Sequence, residues 1–82
     1  FMSFPNPSDA DITLMFTDKK INGSTTLTVR DAHGRVVRSM ALEIQPGTTS
    51  ILIPDMELEP AVYYLQLVGD NFTSPVIRHS LR

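Results

Sequence analysis

Thr26-Leu27-Thr28-Val29-Arg30-Asp31-Ala32-His33-Gly34-Arg35-Val36-Val37 reads as two strands joined by one tight turn. The flanks are rich in β-branched residues and alternate apolar with polar, Leu27 and Val29 against Thr26, Thr28 and Arg30, so one face is offered to a core. Between them, an Asp at the first turn position accepts hydrogen bonds from backbone two residues on, and Gly34 supplies the positive φ that closes a bulged hairpin. Asp31 is therefore read as a turn-former rather than a general base, the common role of Asp in a D-x-x-G turn.

The same grammar extends in both directions. Turn residues recur about every ten positions: Pro5-Asn6-Pro7-Ser8-Asp9, Asn22-Gly23-Ser24, Gln45-Pro46-Gly47, Pro54-Asp55 and Gly69-Asp70-Asn71. The intervening runs alternate too, Ile12/Leu14/Phe16 against Thr13/Met15/Thr17 and Tyr63/Leu65/Leu67 against Val62/Tyr64/Gln66. No stretch keeps a helical i, i+3, i+4, i+7 stripe over three turns. The expectation is an all-β, immunoglobulin-like β-sandwich of about seven antiparallel strands, near residues 2–5, 11–17, 24–31, 35–44, 48–54, 61–68 and 72–81. Tyr63 heads an inward series, so its hydroxyl should reach backbone at a corner between the sheets. Tyr64, on the opposite parity, is the better placed to touch something outside.

The 82 residues make one domain, with room for a single core and little for a deep pocket. At 41% hydrophobic, 20% charged and net charge -2, the composition is that of a globular module. Seven Lys+Arg scattered among 9 acids argue against nucleic acid, which needs a clustered basic face. There is no cysteine for a disulfide or thiolate metal site. No apolar run approaches the roughly 20 residues of a membrane-spanning helix, and nothing at the start reads as an export signal. The opening Phe1-Met2-Ser3, with no initiator Met at position 1, suggests a piece of a longer protein whose targeting information lies upstream.

The residues offer no catalytic constellation, and no cofactor, metal or small-molecule substrate is expected. His33 and His79 stand apart without a partner at ligand spacing, and read as a turn residue and a strand residue. Asp55, Glu57 and Glu59 alternate along an extended segment, but without a Gly-bearing loop they read as a solvated acidic connection rather than a calcium site. Asp9 and Asp11 flank the entry to a strand. The triplets Asn22-Gly23-Ser24 and Asn71-Phe72-Thr73 fit a glycan acceptor pattern at turns where Asn is expected anyway.

Three segments in order carry a resemblance: Phe4-Pro5-Asn6-Pro7, then Leu27 to Val37 with its Asp31-x-x-Gly34-Arg35, then Leu58-Glu59-Pro60-Ala61-Val62-Tyr63-Tyr64-Leu65-Gln66-Leu67. Together they resemble the type A C-terminal sorting domain of type IX secretion, over essentially the whole chain. The resemblance implies a non-catalytic C-terminal secretion signal, residues 1–82 of a larger exported protein, that directs its parent through the outer membrane. Members of that family come from Bacteroidota; their parents cross the periplasm and end at the outer membrane, on the cell surface or secreted. The partners implied are the type IX outer-membrane translocon and a sortase-like protease that removes the domain. Pro5, Asn6, Pro7, Asp31, Gly34, Arg35, Val62 and Tyr63 match motif positions. Arg78 stands where the last strand carries a basic residue, and Ile77, Arg78 and Leu81 are the expected recognition residues.

Two departures from the family pattern stand out. Ala61 replaces the usual Gly before Val-Tyr, and His79 interrupts the apolar parity Ile77/His79/Leu81. Pro75 removes a ladder donor and so places the last strand at an edge or breaks its start. The alternative reading is an immunoglobulin-like or fibronectin-type binding or spacer module of a surface protein. With 7% aromatic residues and no Trp, the sequence offers little platform for binding.

Overall fold

The computed structural model describes residues 1–4, 11–16, 21–54, 56–70 and 72–82. Seven strands form two antiparallel sheets: β1 (Met2–Phe4), β2 (Ile12–Met15), β3 (Gly23–Arg30), β4 (Val36–Ile44), β5 (Ser50–Ile53), β6 (Ala61–Gly69) and β7 (Ile77–Leu81). One sheet has the order β1-β2-β5 and the other β4-β3-β6-β7. Among the described residues there is no helix. The all-β sandwich expected from turn spacing and period-two alternation is the fold observed.

The core lies between the sheets and is built from the predicted inward series. Ile12 and Leu14 of the small sheet, with Phe16 just past the end of β2, face Leu27, Val29, Tyr63, Leu65 and Leu67 of the large one, all of them buried. Ile21, Ile44, Ile53, Met56 and Leu81 complete the layer. Those that lie in strands are the residues that period-two alternation puts on one face.

The last strand differs from its reading. It begins at Ile77 rather than near residue 72, because Pro75 has no N–H to donate to a ladder. Ser74 takes over part of that pairing: its N–H donates to the Leu67 carbonyl (2.8 Å), and its buried Oγ accepts from the Leu67 N–H (2.9 Å). Here a hydroxyl does what a backbone carbonyl does in a regular sheet. The Gly69 N–H donates to the Phe72 carbonyl (2.9 Å), and the Phe72 ring lies over Gly69 so closely that a methyl group there would overlap it. β7 closes the strand order of the large sheet, as Pro75 led one to expect.

His79 does not break the alternation of β7. It is fully buried on the core face, between half-buried Ile77 and buried Leu81, so the strand keeps an inward row with a histidine at its centre.

Candidate functional site

The Asp31 turn is the most tightly specified local structure. Its Oδ1 accepts the backbone N–H groups of His33 (2.9 Å) and Arg35 (3.0 Å), while Arg35 Nε donates to Oδ2 at 2.9 Å. The Gly34 N–H donates to the Asp31 carbonyl (3.0 Å), and Gly34 sits at φ +82°. The Asp31 N–H in turn donates to the Arg35 carbonyl (2.9 Å). One carboxylate thereby fastens three donors, and the irregularity is absorbed by a bulge at Val29/Arg30. Partial desolvation pushes the Asp31 carboxyl upward, but the donors from Arg35 and His33 together with the Arg35 charge outweigh it. Its pKa is lowered.

Tyr63 fixes the neighbouring corner. Buried at the start of β6, it donates its hydroxyl to the Glu59 carbonyl at 2.6 Å, the corner bond its inward parity predicts. Ala61 opens β6 opposite Leu81 in extended backbone; among the described residues the only non-Gly residue at positive φ is Glu57, at 56°. The departure from Gly at position 61 therefore asks nothing unusual of the backbone. Arg38 Nε donates to the Met56 carbonyl (3.1 Å) and ties β4 to the segment leading into that corner.

These pieces converge. Asp31, Arg35, Val62 and Tyr63 border one open depression of about 630 Å³, with Arg38, Glu57 and Glu59 on its rim. Residues more than thirty positions apart in sequence thus meet at one end of the sandwich. The depression is lined by structural hydrogen bonds, and nucleophile and base geometry are not found among its described residues. Glu57 and Glu59 are exposed, while Asp55 lies outside the described residues; among the described residues no three acidic, His or Cys side chains gather as metal ligands would. Pro5, Asn6, Pro7, Asp9 and Asn71 also lie outside the described residues.

The end formed by β7 holds the other set of residues. Arg78 is exposed on the outer face, whereas Ile77 packs against the core and Leu81 is buried in it. His79, on the same inward row, places its Nδ1 2.7 Å from Ser3 Oγ on β1, joining the two sheets. Burial lowers the His79 pKa, because the charged imidazolium is the form that desolvation disfavours. The histidine's inward position is legible in its parity with Leu81; its Ser3 partner, 76 residues away, is not.

The family model described as "Secretion system C-terminal sorting domain" matches residues 2–76. The chain belongs to this family. It is therefore a C-terminal sorting domain of type IX secretion, and its place is in an exported protein that meets the type IX machinery. The match takes in the Asp31 turn and the Tyr63 corner and ends one residue before β7. No curated protein and no solved structure matches the chain. Domains of this family act as sorting signals, generally without catalysis.

Proposed function

We propose that this domain directs its parent protein from the periplasm through the outer membrane by the type IX translocon, without catalysing any reaction itself. The observation that carries the reading is the family match over residues 2–76. After passage, a sortase-like protease removes the domain and the parent is left on the cell surface or released. The Asp31 turn and Tyr63 corner hold the sandwich in the shape that is recognised. Recognition itself falls on β7: Arg78 and the exposed part of Ile77 meet the translocon, and Leu81 anchors the strand to the core so that Arg78 is correctly presented.

The test is localisation of the parent in cells. Deleting the whole domain should leave the parent in the periplasm. Arg78→Glu, after its fold is verified, should slow surface delivery while Ile77 and Leu81 stay in place. Surface delivery at the wild-type rate by the deletion would overturn the sorting role, and by Arg78→Glu would remove β7 as the signal.

A further inference from the structure

The two sheets treat their outer faces differently. On the large sheet that face carries Arg30, Glu43 and Arg78, whereas β1, β2 and β5 contain no charged residue on either face. In register, Met2 stands opposite Met15 and Met15 opposite Ser50, while Leu52 stands opposite Thr13. These five therefore share the face turned away from the buried Ile12, Leu14 and Ile53. Leu52 lies diagonally next to Met15, within reach of its side chain. Met2 is 60% exposed, Leu52 61% and Met15 38%, and among the described residues no other Met or Leu is exposed. Elsewhere the exposed large apolar side chains are single valines, Val36, Val68 and Val76. Asp11, exposed just ahead of β2, stands at the rim. An antiparallel sheet with one solvated face ordinarily alternates apolar with polar residues; strands that are apolar on both faces are those covered on both.

We infer that this face, centred on Met2, Met15 and Leu52, is the seat of the parent's own neighbouring domain, which packs an uncharged apolar surface on it while joined to the sandwich through β1. The inference rests on the proposed sorting role for the existence of that parent. Place is the first reason for this occupant. The family match begins at residue 2, so a parent that precedes a C-terminal domain enters it through β1, and β1 is an edge strand of this same sheet with Met2 on the face in question. Size is the second. Three strands about 4.8 Å apart, each about four residues of about 3.4 Å, give a face on the order of 200 Å² in plan. A second copy or a freely diffusing partner needs about 800 Å² on each side for a stable contact. A domain tethered to β1 meets the face at an effective concentration near millimolar and holds on a smaller contact. Methionine suits such a seat, because its unbranched thioether chain adapts to the surface laid on it.

The test uses the full precursor with isotopically labelled methionine methyls, assigned by single Met→Leu substitutions, and reads their exposure from relaxation by a soluble paramagnetic reagent. A protease site inserted ahead of Phe1 lets the tether be cut. In the intact precursor the Met2 and Met15 methyls should be shielded, and cutting the tether in dilute solution should expose both. Leu52→Glu should lower the ratio of closed to open molecules at least about tenfold, with the methyl of buried Met56 unshifted as the sign of an intact sandwich. Should that variant unfold, the cut decides alone. Equal exposure before and after the cut would overturn the inference. So would shielding that persists after the cut and grows with protein concentration, shielding that needs vesicles of phosphatidylethanolamine with phosphatidylglycerol, or a folded Leu52→Glu precursor as closed as the wild type. In cells, the two readings separate. Export surviving loss of the whole domain sinks the sorting role. Export blocked by that loss, with Met2 and Met15 open in the intact precursor, leaves the sorting role standing and removes this contact.

Discussion

Ser3 Oγ lies 2.7 Å from His79 Nδ1, and through that contact the first strand of the small sheet is fastened to the last strand of the large one. The histidine is fully buried, and among the described residues no buried side-chain nitrogen or oxygen lacks a hydrogen-bond partner. A neutral imidazole can share a proton with a hydroxyl there; an imidazolium has to be stripped of water.

Stability should therefore fall as the solution becomes mildly acidic. The folded-state pKa of His79 is lowered from 6.5, so below that value the unfolded chain takes up a proton that the native chain refuses. The contribution is fully present above pH 6.5 and is lost as the pH falls towards the folded-state value. Urea midpoints measured from pH near 8 down to about 5 should show this slope, and His79→Gln should flatten it. Asp31 adds a separate loss, because its lowered pKa makes its contribution disappear only below the ordinary 3.8. A midpoint independent of pH in the upper window would contradict a neutral buried histidine.

Tyr63→Phe should destabilise the domain by about 1–2 kcal/mol while leaving its far-ultraviolet spectrum unchanged. The variant keeps the buried ring and removes the donor to the Glu59 carbonyl. Chemical denaturation measures it, and an unaltered midpoint would mean that water replaces the hydroxyl at no cost.

Gly34→Val should cost about 1 kcal/mol or more, and Gly34→Asn clearly less. No atom stands in the way of a side chain at this position, so the penalty comes from φ +82° alone. Equal midpoints for the Val and Asn variants would show the turn relaxing to another geometry.

Gly69→Ala should destabilise by about 1–3 kcal/mol through overlap with the Phe72 ring. Combining it with Phe72→Ala tests the cause: the double variant should lose less than the sum of the two single losses. Strict additivity would place the cost elsewhere.

The fold was legible because each strand presents one apolar face and each turn is built from residues that act locally. Leu27, Val29, Leu65 and Leu67 announce their burial by parity alone, and Asp31 and Gly34 announce their turn by spacing. Tyr63 was legible for the same reason, its partner being only four residues away. What the sequence concealed is what depends on the pairing of distant strands. Histidine in an apolar row looks like an interruption until Ser3 is seen across the sandwich, and Ser74, read as an ordinary residue of the last strand, precedes that strand and uses its hydroxyl to bond Leu67. The patch of Met2, Met15 and Leu52 is hidden likewise, since only register brings those positions together.

The joining of β1 to β7 has a consequence for timing. A contact across 76 residues joins strands from the two ends of the domain, so it forms only when both are present. A nascent or partly threaded chain lacks the last strand, and with it Leu81 and His79 from the core. A chain interrupted before β7 therefore leaves a gap in its own core and cannot present the face that this strand completes.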